Sequence, residues 1–321
     1  MGYDKDIILR EEYISRINRV QDYIEINLAE KFSLIKLSQI ANFSPYHFHR
    51  IFCVMTGETL FQYIQRVRLE KAAFLLLVNQ KTSITRIALE CGFSNQASFA
   101  KAFKKYFSVS ASQLRTASVI PKGKDCKAES NIGKVFTEIM NYNGNIRNRQ
   151  RCAEQTRTGI PFTVDIKEIP DMSVVYIRHT GPYKKDAALF QKLFKKLFNW
   201  ANARGLIHTS GTKWLTLCHD NPDLTDDDKL RISVCMTTSG NIQTDGEIGN
   251  LTIPGGKYAV GHYRLNEDQY QDAWYALFAE WFPESGYQPD DRLSFELYLN
   301  DATDDPKENH MVDLCVPVRA L

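Results

Sequence analysis

Two stretches of this chain each occur twice, and internal duplication constrains a fold more than any single motif: both copies must take one local structure and then bury their apolar faces. The string LIKLSQIANFS at 34–44 matches ITRIALECGFS at 84–94 at an offset of 50, which sets Leu34 on Ile84, Leu37 on Ile87 and Phe43 on Phe93. The segment that follows matches at 51, Phe48 on Phe99 and Phe52 on Phe103, so one residue has entered the second copy. Further along, an offset of 84 sets Ile169 and Pro170 on Ile253 and Pro254, and Phe190, Leu193, Phe194 and Leu197 on Trp274, Leu277, Phe278 and Trp281.

Hydrophobic spacing separates the two pairs of copies. From about 8 to 115 the period is helical, with amphipathic stretches at 14–28 and 61–78. Beyond Phe162, alternating segments such as VVYIRHT, RISVCMT and LSFELYL interleave with helical stretches at 186–203 and 267–281. The pattern predicts a multidomain chain: an all-α N-terminal domain with two helix-turn-helix motifs over 8–115, a Lys-, Asn-, Arg- and Gly-rich linker over 116–160, and an α+β domain over 161–321 built as a duplicated β-β-α-β-β unit. A short ordered piece is expected inside the linker at 135–140.

Charge follows the same division. Residues 1–160 hold 24 Lys and Arg against 14 Asp and Glu, while 161–321 hold 16 against 24, so a net charge of +2 conceals +10 in one half and −8 in the other. One end is expected to meet a polyanion and the other to do something different. A composition of 43% hydrophobic and 24% charged residues excludes a mainly disordered chain. Apolar runs fall far short of a membrane span, and the N-terminus, MGYDKDIILREEY, has no secretory h-region, so a cytoplasmic protein without a membrane partner is expected. The seven cysteines are scattered without a CxxC pair, which predicts neither a disulfide framework nor a metal site, and no cofactor is expected.

Each helix-turn-helix copy has a support helix, a tight turn and a helix with a free face. Ser44 is the expected cap of the first reading helix, with Pro45 in its first turn; Gly92 suits the second turn, and Ser94 is the expected second cap. With Phe99, Phe103 and Phe107 as the buried stripe, the residues left exposed are Tyr46, His49 and Arg50 on the first reading helix and Asn95, Gln96, Ser98 and Lys101 on the second. His47 reads as a structural turn residue, Lys104 and Lys105 as phosphate-directed or solvated, and Arg66 and Arg68 as surface charge or DNA contacts at even weight.

At these residues, over roughly 10–115, the chain resembles the AraC/XylS family of transcription regulators, and the string ITRIALECGFSNQASFAKAFKKYFSVSASQLR is its second-copy signature. The resemblance implies two reading helices in successive major-groove segments of double-stranded promoter DNA, joined by a long central helix, with base contacts at Tyr46, His49, Arg50, Gln96, Ser98 and Lys101. RNA polymerase is then expected as a further partner. Over about 162–319, IPDMSVVYIRHTGPYKK, GEIGNLTIPGGKYAVGHY and LSFELYLND resemble the GyrI-like effector-binding domain. The order of the two domains is that of Rob-like regulators.

Strand alternation offers a site for a small-molecule effector. Leu293, Phe295, Leu297 and Leu299 are expected to face a helix-packed core, which leaves Ser294, Glu296 and Tyr298 on an open face; Trp214 and Thr216 oppose Leu215 and Leu217 in the same way. The resemblance implies that Glu296 sits in an aromatic pocket and recognises a cationic, lipophilic ligand; alternation offers Trp214 and Tyr298 as its companions, and Tyr176, which alternates with Val174 and Arg178, is a third candidate whose facing the pattern leaves open. Trp274 and Trp281 read as helix core. Two other readings stay open: a hydrolase with Glu296 as general base, although no partner base or nucleophile motif is placed by the sequence, and a protein-binding module.

Overall fold

The computed structural model describes residues 2–79, 81–116, 159–207, 211–222, 224–240, 242–290, 292–300 and 309–320, with side chains described for all of these except 2–10, 279 and 283. Except at its two ends, the linker expected over 116–160, with its ordered piece, lies outside the described residues.

In the first half, α1 (Gly2–Ile26) leads into α2 (Leu34–Ile40) and α3 (Pro45–Thr56), the first helix-turn-helix; the long α4 (Leu60–Val78) follows, then α5 (Ile84–Glu90), α6 (Gln96–Phe107) and α7 (Ala111–Thr116). Helix starts are set by side-chain oxygens that take up orphan N–H groups. Ser33 accepts from the Lys36 N–H, Ser83 from that of Arg86, and Thr59 and Gln62 form a reciprocal capping box at α4. Ser44 caps α3 loosely, its Oγ accepting from the His47 N–H at 3.5 Å. The second reading helix is capped by Asn95 and not by Ser94: Asn95 Oδ1 accepts from the Ser98 N–H at 2.8 Å. The residue inserted in the second copy has moved the cap by one.

The offset of 50 sets Asn42 on Gly92, and both are left-handed, at φ 52° and 83°. Gly92 is held to glycine twice over, since a Cβ there would lie 2.5 Å from the Leu28 carbonyl oxygen and 2.7 Å from the Arg68 guanidinium. Arg68 crosses this point to donate to the carbonyls of Leu28 at 3.0 Å and Glu30 at 2.6 Å. Arg66 is 4% exposed and is clamped by Glu58 and Glu70. Both arginines of α4 therefore tie elements of the domain together, Arg66 buried and Arg68 half-buried.

Two apolar cores share α4. Its start packs with Ile17, Ile24, Leu37, Phe48 and Phe52, and the rest with Ile87, Ala88, Phe99, Phe103 and Phe107. The three-phenylalanine stripe of α6 stands at i, i+4, i+8, and burying each ring contributes about 2–3 kcal/mol.

In the second half, β1 (Thr163–Ile169), β2 (Met172–Thr180), α8 (Ala187–Asn202), β3 (Trp214–Cys218) and β4 (Arg231–Thr237) form the first repeat. The second comprises β5 (Gly249–Ile253), β6 (Gly256–Leu265), a helix running from α9 (Tyr270–Ala276) through a π-helical turn (Leu277–Trp281) into α10 (Phe282–Ser285), the short β7 (Tyr287–Pro289), β8 (Ser294–Tyr298) and β9 (His310–Ala320). The strand order β1-β6-β9-β8-β3-β4-β2-β5 reads the same for either repeat from its own end. Each repeat lends its first strand to the edge of the other, and the two meet at the central pair β3–β8, where Thr216 is paired with Glu296 and Trp214 with Tyr298.

The facing of this sheet differs from the expectation. Helix α8 packs Leu193 and Leu197 against Val175, Ile177, Val234 and Met236, and α9 packs Ala273 against Ala259, Val312 and Leu314, which is the face that carries Glu296. Leu215, Leu217, Phe295 and Leu297 lie on the other face, in a cluster that takes Val174 and Ile253 from one end of the strand order and Val260 from the other. The sheet therefore curls around a second core, and alternation alone cannot tell which of two apolar faces receives the helices. The helices cover the flanks of their face and leave the central pair open between them.

A buried polar seam fastens α1 to the sheet. Asp22 accepts from Arg178 and from the Tyr176 hydroxyl, while Glu25 accepts from Arg231 and from His219 Nδ1 at 2.9 Å. Arg231 also reaches Asp220 at 2.5 Å and the Tyr63 hydroxyl of α4. Burial pushes the Glu25 carboxyl up, but Arg231 and His219 override it and hold the group well below the usual carboxylate range. Burial, then the neighbouring Arg178, lowers the His219 pKa, so its ring is neutral: Nδ1–H donates to Glu25 and Nε2 accepts from Ser233 at 2.8 Å.

Candidate DNA-reading face and effector cleft

On α3, Tyr46, His49 and Arg50 are exposed, with Tyr46 at 68%. The Arg50 guanidinium lies 5.9 Å from the Tyr46 ring centroid, and His49 Nε2 approaches Cys53 Sγ at 3.9 Å. His47, expected to be structural, is exposed as well, its ring tilted against Tyr46. On α6 the exposed residues include Gln96, Ser98 and Lys101. Asn95, expected on the exposed DNA-binding face, spends its side-chain oxygen on the cap, and Gln96 Oε1 accepts from Thr85 at 3.0 Å, so these two are held in place from within the motif. The hydroxyl and amide groups here can exchange protein partners for base edges, the exposed Arg50 guanidinium can pair with a base edge, and Lys101 can meet phosphate.

The second site lies over β3 and β8. Glu296 is 8% exposed; its Oε1 accepts from Trp274 Nε1 at 2.8 Å and its Oε2 from the Tyr298 hydroxyl at 2.9 Å. With that proton committed to the carboxylate, the Thr216 hydroxyl donates to Tyr298 across 3.1 Å. Burial raises the Glu296 pKa, and the two donors only partly offset it. Among the described residues no Lys, Arg or His lies within ion-pair distance of this carboxylate. Aromatic rings complete the surround: Phe194 stands edge-on to Tyr298 at 5.5 Å and to Trp214 at 6.1 Å, and Phe198 stacks on Trp214 at 6.2 Å. Such a setting attracts a cation through charge and ring faces together.

Of the expected companions, Trp214 and Tyr298 line the cleft with Glu296, and Tyr176 does not. Tyr176 is fully buried on the opposite face, its hydroxyl spent on Asp22 and its ring packed on Gly249, because α1 covers that face where the sequence shows none of the covering. Trp274, expected as core, does both: it packs beside Ala273 and also donates to Glu296. The offset of 84, which pairs Phe190 with Trp274 and Phe194 with Phe278, carried a signal for this, since all four line the cleft from the two helices.

Among the described residues no helix is long and apolar enough to cross a membrane, and no group of three or more His, Cys, Asp or Glu is arranged to hold a metal ion. Two families match the chain: a GyrI-like small molecule binding domain over 162–319 and a helix-turn-helix domain over 37–117. A DNA gyrase inhibitor of Edwardsiella piscicida is 31% identical over 160 residues, 49% of this chain and 97% of that protein. The probable transcriptional regulator LumQ of Photobacterium leiognathi is 34% identical over 111 residues, 34% of this chain and 44% of LumQ. Among solved structures, the EcmrR–DNA complex in EcmrR-RPo is 14% identical with a TM-score of 0.45, covering 90% of this chain and 99% of that one.

Proposed function

The chain belongs to the GyrI-like family, its small-molecule domain carried behind an AraC-type helix-turn-helix domain, and on that premise we propose that this DNA-binding regulator is controlled by a lipophilic cation held at Glu296. The observation that carries the proposal is a buried carboxylate with two neutral donors, aromatic walls and no cationic partner among the described residues. An isolated buried charge is unfavourable, so a ligand that brings the opposite charge and an apolar body gains on both counts. In this reading Tyr46, His49, Arg50, Gln96, Ser98 and Lys101 face promoter DNA, with Asn95 supporting them as the cap. RNA polymerase is the further partner, the cytoplasm the compartment, and Glu296 binds without catalysing. The test is titration of the full chain with tetraphenylphosphonium. Binding to wild type that is lost in Glu296→Gln, with the ligand recovered unaltered, supports the proposal; equal affinity in both chains rejects the site, and conversion of the ligand rejects the non-catalytic role.

The identity to a DNA gyrase inhibitor over nearly its whole length favours a second reading, in which the C-terminal domain also binds gyrase. A supercoiling assay with the full chain separates the two, since effector binding alone leaves gyrase activity unchanged.

A further inference from the structure

The cleft over Glu296 does not end at the small-molecule domain. Its volume is about 1930 Å³, whereas sites enclosing a drug-sized ligand are commonly ~300–1,000 Å³. Its far wall is α4 of the DNA-binding domain, which contributes Val67, Glu70, Lys71, Phe74 and Val78. An aromatic row spans the interval: Trp274 donates to Glu296, Phe278 stacks on Trp274 with centroids 6.1 Å apart and planes at 18°, and Phe74 meets Phe278 edge-on at 5.9 Å and 90°. Ten carboxylates and five Lys and Arg side chains line this space; Glu25, Glu70, Asp220 and Asp290 among the carboxylates are already paired with arginines, whereas Glu296 is not.

We propose that the effector site is composite: an elongated lipophilic cation sets its charge against Glu296 and lays its apolar arm along Phe278 onto Phe74 of the DNA-binding domain. This rests on the cation reading of Glu296 and adds the part of the site that measures ligand length. Both cores of the DNA-binding domain pack on α4, so a ligand that reaches Phe74 grips the helix on which both reading helices depend. Linkage then requires that operator DNA and ligand change each other's affinity by the same factor, whatever its sign.

An alkyltriphenylphosphonium series from methyl to decyl, titrated into the full chain, tests the proposal. Wild-type affinity is expected to rise about three- to fourfold per methylene, the increment for burying a CH₂, until the arm has filled the interval. In Phe74→Ala the methyl homologue should bind within twofold of wild type while the dependence on length flattens. An unchanged slope in Phe74→Ala, with binding lost in Glu296→Gln, overturns the composite site and leaves the cation reading standing. Affinity unaffected by Glu296→Gln overturns both. The wild-type chain gives a measurement that needs no folded variant: a decylphosphonium with a terminal diazirine is expected to label α4 between residues 67 and 78, and labelling confined to residues 161–321 refutes the inference.

Discussion

Asp22 of α1 and Arg178 of β2 meet in a buried ion pair, Oδ1 to Nη2 at 2.5 Å across 156 residues of sequence. The Arg178 side chain is 1% exposed, and removing Asp22 leaves its guanidinium buried with only the neutral groups of Ser233, Gln21 and His219 as hydrogen-bond partners. Burial opposes the charge on Arg178, but Asp22 more than restores it, raising its pKa above the ordinary arginine value. Asp22→Ala is therefore expected to destabilise the docked arrangement by about 3–5 kcal/mol, read as a lower urea midpoint for the loss of contact between the halves. A change under about 0.5 kcal/mol, the scale of a solvated pair, would show that the seam is wet.

Glu70 predicts a pH dependence of unusual sign. Burial pushes its carboxyl up to about 7, against the opposing charge of Arg66. The native chain then holds a proton that the unfolded chain has already released above its ordinary value of 4.5. Stability from this group is complete at low pH and is lost as pH rises through 7, by about 3 kcal/mol in all. Glu70→Gln, which keeps an acceptor for Tyr106, should remove that slope. Parallel denaturation curves for wild type and variant between pH 5 and 8 would contradict it.

Glu296 should make cation binding depend on pH in the opposite direction. Its pKa is raised by burial, and only the ionised form attracts a cation, so affinity climbs with pH by up to about tenfold per pH unit until the group is fully ionised. Calorimetric titration of tetraphenylphosphonium from pH 4.5, the ordinary carboxylate value, up to pH 9 reads this directly. A flat profile would mean that the carboxylate is not the anchor.

At the reading helices, two substitutions are expected to separate support from contact. Asn95→Ala removes the α6 cap and should lower stability by about 1 kcal/mol, seen as a reduced melting midpoint of the free chain. Arg50 has only the Tyr46 ring as a partner among the described residues, and Arg50→Ala should leave that midpoint unchanged. Its effect should appear on cognate DNA, as a loss of about 1–3 kcal/mol in specific affinity with little change on random sequence. Gel shifts with the two DNAs distinguish the outcomes.

Local patterns were legible in the sequence to the extent that each copy could be read against the other. The apolar spacing of α2, α3, α5 and α6, the turn at Gly92 and the two β-β-α-β-β repeats all follow from short-range rules. The cap at Asn95 was missed by one position because Ser94 and Asn95 are both good capping residues and only backbone geometry chooses between them. Alternation separates Glu296 from Phe295, as the structure does, but the helices cover the face of Glu296 and not the opposite one. Tyr176, Arg66 and Arg68 were misplaced because their partners, Asp22, Glu58 and the carbonyls of Leu28 and Glu30, belong to other elements. Contacts of that kind leave no local period to read.

The meeting of Thr216 and Glu296 on the central strand pair has a consequence for the kind of molecule the cleft can accept. Where two copies of one unit join, equivalent strands become neighbours, and two identical half-length chains associating by the same axis would be bound to mirror their chemistry across it. They would present either two carboxylates, which would repel until one took up a proton, or none. A single polypeptide escapes that symmetry. It sets one hydroxyl opposite one carboxylate, and so can tell the head of an asymmetric guest from its tail.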